Sequence, residues 1–252
     1  MSSSLTNHSP VAIAAVRSKA GPAAADLDDP FVDKFLSARG GAVDKAAQML
    51  TAHLEWRAQN SVDTVMQEYF GATSSRPDIH ELYSAGFYGN DRAGNPVYVE
   101  RPGKSNVAEA FAKLGEPFMV RWHICTMETG RDLYRTKKAQ GVVTVIDATG
   151  IGMGHISKAA LSFFRKVSAM DQDNYPEHLV TSIIINAGMI AKNGWKMLSP
   201  FMDTRTKAKF HILGSDYHET LHSLVPKESL PAFLGGTRAD GDCLRIFGAA
   251  AP

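Results

Sequence analysis

Two short, mainly apolar runs, at residues 141–147 and 178–187, constrain the fold more than any other feature of the chain. They read GVVTVID and HLVTSIIINA and are rich in valine and isoleucine. Runs of this length and kind are typical of strands that are buried on both faces of a sheet. Each is followed by a stretch with helical periodicity. The sequence therefore predicts an α/β fold, in which helices cover a mixed and largely parallel sheet.

Residues 30–76 have a different pattern, which predicts a helical N-terminal lobe. Asp28 or Asp29 can cap a helix that begins at Pro30, and apolar residues recur at helical spacing between 43 and 54. A linker is expected around GATSSRP. Residues 1–29 are rich in Ser, Ala and Pro and are predicted to be a disordered or flexible tail, and residues 238–252 are predicted to be a C-terminal tail. The α/β domain between them is expected to span residues 77–237.

Within that domain, FYGNDRAGNPVYVERPG predicts a β-hairpin, because two strand-like runs flank a turn with Gly, Asn and Pro. Further helices are predicted over 117–138, over SKAALSFFRKVSAMDQD and over GWKMLSPFMDTRTKA, with a short strand at KFHILG. Helical turns are expected at YHETLHSLV and KESLPAFLG.

Composition excludes several classes of function. The 252 residues carry a net charge of +1, so no global field favours nucleic acid as a partner. No segment approaches the roughly 18 consecutive apolar residues that a membrane span requires, so any membrane contact is expected to be peripheral. Cys125 and Cys243 lack a metal-site spacing, which predicts reduced thiols and a cytoplasmic protein without a bound metal.

Two motifs leave alternatives from other classes of protein open. Gly150, Gly152 and Gly154 follow a predicted strand, as in a dinucleotide-binding turn, but GxGxxG would require glycine at His155. A second motif, His218-Glu219-xx-His222, has the spacing of a zinc hydrolase. The only carboxylate shortly after it is Glu228, and the predicted helix ends before Pro226.

A cluster of lysines and arginines between 192 and 209 surrounds large apolar residues. An amphipathic helix that packs on the sheet would have this pattern, and so would a segment that touches a membrane interface. The large apolar residues of this segment include Trp195, Leu198, Phe201 and Met202.

Six stretches occur in one order that is more specific than any single motif. They are FLSARGGAVDKAAQMLTAHLEWR, DRAGNPVYVE, VVTVIDATGIG, NYPEHLVTSIIINAG, PFMDTRTKAKFHILG and VPKESLPAFLGG. Together they resemble the CRAL-TRIO lipid-binding family, in particular its phosphatidylinositol/phosphatidylcholine transfer proteins. The resemblance covers roughly residues 30–236.

The resemblance implies a mixed sheet that floors a hydrophobic lipid pocket, with a mobile gate helix at about residues 195–208. It implies a monomer that extracts and exchanges single lipids at membranes, with no enzymatic chemistry and no cofactor beyond the bound lipid. A carrier of another hydrophobic molecule, of the sterol, tocopherol or retinoid type, remains the nearest alternative.

The resemblance also implies a headgroup site for phosphatidylinositol. An arginine after FLxA, a glutamate after Tyr-Pro and a Thr-x-x-Lys in this family correspond to Arg39, Glu177, Thr206 and Lys209. Where an arginine commonly follows the glutamate, this chain has His178, which is a weaker cation at neutral pH.

The match to a second, choline-lipid site is less complete. Three positions agree with family members: Tyr98, Thr144 and Tyr175. At three others, Phe87, Val142 and Asp171 stand where hydroxyl-bearing residues are expected. The second ligand is therefore left open between phosphatidylcholine, another lipid such as a sterol, and none.

Overall fold

A computed structural model describes residues 7–65, 67, 79 and 82–243 of the chain. The expected linker around 71–77, the lobe boundary at 76–77 and the two ends of the chain lie outside the described residues. The helices are α1 Pro10–Ala20, α2 Asp29–Ala38, α3 Val43–Gln59, α4 Val107–Thr136, α5 Lys158–Asn174, α6 Met189–Leu198, α7 Thr204–Ala208 and α8 His218–Leu224. The strands are β1 Ala85–Asn90, β2 Pro96–Glu100, β3 Val142–Asp147, β4 Leu179–Ile185 and β5 Phe210–Ile212.

Helix α1 corrects the prediction that residues 1–29 form a disordered tail. Ser9 caps this helix by accepting a hydrogen bond from the Ala12 amide, and Pro10 occupies the first turn. Ile13 and Val16 are fully buried against α2 and α3. The Ser- and Ala-rich composition did not predict this helix. A helix can pack through one short apolar stripe, and such a stripe is a weak signal in a sequence.

The strands form one sheet in the order β1-β2-β3-β4-β5, which confirms the predicted α/β fold. Strands β1 and β2 form the predicted antiparallel hairpin, and the remaining neighbours pair in parallel. The two apolar runs from which the prediction started are the central strands β3 and β4.

The two faces of the sheet have different surroundings. Along β3, Val143 and Val145 point to a core that α8 and the following turns complete with Leu221 and Leu230. Residues of the opposite parity face a cavity beneath α4 and α5, since side chains alternate along a strand. The continuous apolar pattern of β3 therefore serves both a packed core and a cavity wall.

Helix α4 is longer than the helix predicted over 117–138, because an additional helical segment precedes it. At Gly115 the backbone leaves the helical region, with φ 77° and ψ 158°, and Pro117 then opens the second segment. Glycine adopts this conformation without the steric cost of a Cβ atom. The sequence prediction recognised the segment after Pro117 and missed Val107–Leu114 before it.

The segment expected to form one gate helix over 195–208 is divided. Helix α6 ends at Leu198, and a 3₁₀ turn over Ser199–Phe201 contains Pro200, which lacks an amide hydrogen. Asp203 then caps α7 by accepting from the Thr206 amide at 2.9 Å. Two short helices joined by a turn therefore replace the predicted single element.

A buried carboxylate joins the helical lobe to the α/β lobe. Glu128 on α4 accepts hydrogen bonds from Arg57 on α3 at 2.8 Å and from Arg131 at 3.0 Å. The Tyr175 hydroxyl donates to the same carboxylate at 2.9 Å. The Arg131 guanidinium also stacks over the ring of Phe31 on α2, 4.4 Å from its centroid.

We expect Glu128→Ala to lower the free energy of unfolding by roughly 3 kcal/mol, since it leaves Arg57 and Arg131 without their shared partner in a buried site. Asp132→Ala is the matched control on the same helix, where an exposed ion pair with Arg135 spans 3.7 Å. Urea denaturation of the three proteins measures the effect. Equal stability of the two variants would show that the Glu128 network does not hold the lobes together.

Candidate functional site

A cavity of about 870 Å³ lies between the sheet, α4, α5 and the α6–α7 segment. Its lining is mainly apolar and includes Phe87 and Val142 from the sheet, Phe163 and Phe164 from α5 and Leu198 from α6. A cavity of this size and character accommodates a largely apolar ligand with a few polar groups.

Glu177 stands at one end of this cavity in a cluster of cations. Its Oε2 accepts a hydrogen bond from Lys209 Nζ at 2.8 Å, and its Oε1 forms an ion pair with Arg205 Nη2 at 2.7 Å. Lys209 also donates to the Leu179 carbonyl at 2.7 Å. Glu177 and Lys209 are each about one quarter exposed, so solvent reaches this end of the cavity.

Lys34 and Arg205 connect the same cluster to the helical lobe. Lys34 on α2 donates to the carbonyl oxygens of Glu177, at 2.8 Å, and Gln140. Burial lowers the pKa of Lys34 to about 8, although the nearby Glu177 carboxylate opposes that shift. Arg205 donates to the Ser37 carbonyl in the last turn of α2. These two residues therefore connect α2 of the helical lobe to the cluster around Glu177.

Arg39 lies at the C-terminal end of α2 and lines the cavity beside this cluster. Among the described residues, its guanidinium forms no ion pair. Thr206 also lines the cavity, and its hydroxyl donates to Asp203 Oδ2 at 2.6 Å. Arg39, Glu177, Thr206 and Lys209 thus line one cavity. Arg205 also lines it, and Lys34 joins the cluster from α2 without lining the cavity; the sequence did not reveal either residue.

His178 lines the cavity but does not act as a cation there. Burial lowers its pKa to about 3, and the neighbouring Lys34 charge acts in the same direction. Its ring packs edge-on against Tyr134 and Tyr175, and Nδ1 has no hydrogen-bond partner among the described residues. His178 is thus an even weaker cation than its residue type predicts, and its part in headgroup binding stays a prediction.

The residues predicted for a second ligand lie elsewhere on the cavity wall. Tyr98 and Thr144 are paired across neighbouring strands β2 and β3. Tyr175 contributes its ring, but its hydroxyl is engaged by Glu128. Asp171 pairs with His123, with Nε2 2.8 Å from Oδ1. The sequence prediction named Asp171 and overlooked His123, whose partner lies 48 residues away.

Only part of the predicted gate set touches the cavity. Leu198 and Met202 line it, whereas Trp195 packs on Phe210 with ring centroids 4.6 Å apart. Phe201 is exposed, with Arg165 near its ring face. Two of the four residues predicted on the gate helix therefore line the cavity and two do not, and the role of this segment as a gate stays a prediction.

Gly150 and the pair His218 and His222 belong to the two motifs that left other classes of protein open. Gly150 has φ 84° and lies against the Gly103 backbone, where a Cβ on Gly103 would meet the Thr149 carbonyl at 2.2 Å. Close packing of two backbone segments thus accounts for Gly150 and Gly103, whereas a Cβ at Gly152 or Gly154 would meet no heavy atom within 4 Å. His218 and His222 lie 5.6 Å apart between ring centroids, and no group of three or more metal-ligating side chains occurs within the part of the chain that the structure describes.

Within the described ranges, no helix is both long and apolar enough to cross a membrane.

The fold and cavity define an α/β protein whose sheet borders an apolar chamber with one cation-rich end. Residues 80–236 match the CRAL/TRIO domain, and the chain belongs to this family. It is 33% identical over 222 residues to the phosphatidylinositol/phosphatidylcholine transfer protein SFH12 of Arabidopsis thaliana, which covers 84% of this chain and 40% of that protein. The chain spans about two fifths of the length of the Arabidopsis relatives at the head of this comparison.

A second relative is closer in length. The SEC14 cytosolic factor of Eremothecium gossypii is 30% identical over 217 residues, which covers 83% of this chain and 70% of that protein. Among solved structures, the crystal structure of Sfh5 superposes with a TM-score of 0.67 at 20% identity, covering 86% of this chain and 73% of that one. At this identity the likeness establishes the shared fold.

We expect the burial of His178 to make stability depend on pH. Its folded-state pKa lies below the unfolded value of about 6.5, so the unfolded chain binds the additional proton between pH 6.5 and about 3. Above pH 6.5 this effect costs no stability, and the free energy of unfolding falls as pH decreases from 6.5 to about 3. Protonation of this one residue in the unfolded chain should lower the free energy of unfolding by up to about 1.4 kcal/mol per pH unit.

Urea unfolding between pH 6.5 and 4.5 tests this expectation. His178→Phe should show a shallower decrease than the natural chain, because it removes the group that must stay neutral. His211→Phe, at an exposed position on β5, is the control and should keep the natural slope. If the His178 variant retains the full slope, the buried histidine is not its source.

Proposed function

We propose that this chain binds one phosphatidylinositol molecule and transfers it between membranes. The observation that carries the proposal is the apolar cavity with a cation-rich cluster at the end that solvent reaches. An amphipathic lipid has this same division, with long apolar chains and one anionic head. The names of the SFH12 relative and of other relatives in the comparison support phosphatidylinositol as the ligand class.

The apolar part of the cavity would hold the acyl chains. Burial of each methylene is worth about 0.8 kcal/mol, so two chains of ordinary length contribute roughly 25 kcal/mol relative to water. A lipid that left the membrane through bulk water would have to overcome this free energy, which is more than a protein can supply. If the cavity opens onto a membrane, the chains pass from one apolar medium to another and this term nearly cancels.

Selectivity among lipids would then depend on the polar headgroup. Arg39, Lys209 and Arg205 bring three cations to one end of the cavity, where Glu177 and Asp203 offset part of their charge. The Arg39 guanidinium is ready to receive the phosphate, since it forms no ion pair among the described residues. The Glu177 carboxylate can accept from inositol hydroxyls while it holds Lys209 in place.

The α6 segment and the turn that follows would contact the membrane and admit the lipid. Met197 is 47% exposed and Phe201 is 36% exposed, and Lys192 and Lys196 lie on the same segment. A basic residue near an anionic membrane surface adds about 1 kcal/mol, which suits transient docking. The leucine and methionine that line the cavity from this segment, Leu198 and Met202, would move with it.

We expect Lys209→Ala to reduce phosphatidylinositol transfer between vesicles by roughly tenfold or more, the size of one charge-assisted hydrogen bond. Lys207→Ala is the matched control, since Lys207 is exposed two residues away and does not line the cavity. Fluorescent phosphatidylinositol transfer measures both. Equal transfer by the two variants would contradict the headgroup assignment.

We also expect the double variant Met197→Asp with Phe201→Asp to lose most transfer, because it places two carboxylates on the surface that must meet the bilayer. Leu224→Asp is the control: Leu224 is 38% exposed on α8, which packs on the opposite face of the sheet. Thermal melts establish that all three proteins fold. Normal transfer by the double variant would refute the proposed membrane contact.

A further inference from the structure

The direction of the strands gives the cavity two distinct ends. Glu177 and Lys209 lie just before β4 and β5, at the edge of the sheet where the parallel strands begin. Pro102 and Val107 follow β2 and line the cavity at the opposite edge, where β2 and β3 end together. The floor that residues 142–146 of β3 form between these edges is about 13 Å long at ordinary strand rise. Apolar chains whose head lies beside Glu177 would therefore extend toward the second edge, which we call the far end.

Two phenylalanine rings meet in the roof of the cavity at this far end. Helix α4 begins shortly after β2 and helix α5 shortly after β3, so the first turns of both helices lie at the edge where these strands end. Phe111 is in the second turn of α4 and Phe163 is in the second turn of α5, and both line the cavity. Their ring centroids are 5.1 Å apart with the planes at 80°, which is an attractive edge-to-face contact. The two rings therefore close the roof between α4 and α5 at the far end.

The segment of α4 before the bend, which carries the first of these rings, is fixed by its surroundings. The Asn106 amide directly before the segment donates to the Leu82 carbonyl at 2.8 Å. Ala110, within the segment, is fully buried in a hydrophobic cluster. Just after the bend, Glu116 Oε1 and Lys166 Nζ of α5 form an ion pair at 2.7 Å. The two rings therefore belong to a part of the roof that is packed into the core and joined between the helices.

A packed wall of this kind limits what the cavity can accept. Protein interiors have nearly the density of organic crystals, and an additional methylene pressed against a well-packed wall is destabilising. Each methylene of a lipid that stays outside the cavity loses its apolar surroundings, which weakens binding by about fourfold. A difference of a few methylenes therefore decides which of two lipids with the same headgroup is bound.

We propose that Phe111 and Phe163 form an end wall that sets the longest acyl chain the cavity accepts. The inference rests on the proposed function in so far as the ligand is a lipid whose head lies at Glu177. It adds a second selection to that function, because the cation-rich cluster would select the headgroup and the end wall would select the length of the chains. The two selections act on different parts of one ligand, so variants at the two ends of the cavity test them separately.

The test presents two phosphatidylinositols that differ only in chain length. The full chain is incubated with dioleoylphosphatidylcholine vesicles that contain equal amounts of dioleoyl- and dinervonoyl-phosphatidylinositol. The protein is then separated from the vesicles, and its bound lipids are quantified by mass spectrometry. We expect the natural chain to favour the shorter, dioleoyl form. Phe111→Ala should raise the bound ratio of the longer to the shorter lipid by about tenfold or more, the equivalent of roughly two additional methylenes in the cavity.

Two further variants separate the end wall from a general loss of packing. Phe163→Ala opens the same wall from α5 and should raise the ratio in the same way, also if Phe111→Ala is too unstable to purify. Phe118→Ala is the matched control, since Phe118 is buried on α4 and does not line the cavity, and its ratio should stay that of the natural chain. The proposal is overturned if the natural chain binds the two lipids in equal amounts, or if opening the wall changes the ratio no more than Phe118→Ala does.

The total amount of bound phosphatidylinositol distinguishes this inference from the proposed function. If phosphatidylinositol is bound and the ratio is the same in all variants, the end wall is wrongly assigned and the proposed function stands. If no phosphatidylinositol is bound, the proposed function fails, and the wall is tested with saturated fatty acids of increasing length that displace an NBD-labelled fatty acid. The end wall is then supported if the best-binding length increases in Phe111→Ala and in Phe163→Ala, and it is overturned if that length stays the same.

Discussion

The buried Glu128 carboxylate is the interaction on which the rest of the architecture depends. It holds Arg57 of the helical lobe, Arg131 of its own helix and the hydroxyl of Tyr175, which directly precedes the turn that carries Glu177. Its removal would take the shared carboxylate from Arg57 and Arg131 and would leave Arg57 only its ion pair with the exposed Asp63, in a site where unpaired charges are costly. The position of the cation-rich end of the cavity is thus fixed from within the protein by a residue that lines no part of that cavity.

Local patterns predicted much of the fold. The hairpin, β3, β4, β5 and the helix over 158–174 all follow from short-range signals such as apolar runs, turn residues and caps. Helix α1 was missed because its only buried stripe is Ile13 and Val16, which become meaningful once α3 supplies a surface. The prediction of a single gate helix was wrong because Pro200, which lacks an amide hydrogen, lies in a 3₁₀ turn and Asp203 caps a new helix after it.

The candidate site was predictable where residues follow one another in known motifs and unpredictable where they meet through the fold. Arg39, Glu177, Thr206 and Lys209 line one cavity, as the resemblance implied, although their roles toward a ligand remain predictions. Lys34, Arg205 and His123 could not be found in this way, since each depends on a partner more than 25 residues away.

Glu177 has a backbone conformation that its residue type rarely adopts, with φ 50° in the left-handed region. For a residue with a Cβ atom this conformation costs about 1 kcal/mol, whereas glycine would adopt it freely. Lys34 donates a hydrogen bond to the Glu177 carbonyl oxygen and Lys209 donates one to the Glu177 carboxylate, and both bonds stabilise the turn in this conformation. The chain thus accepts a strained backbone at one position in order to direct a carboxylate at the cavity. Glycine at 177 would relieve that strain, but it would leave Lys209 and Arg205 without the carboxylate that holds them together.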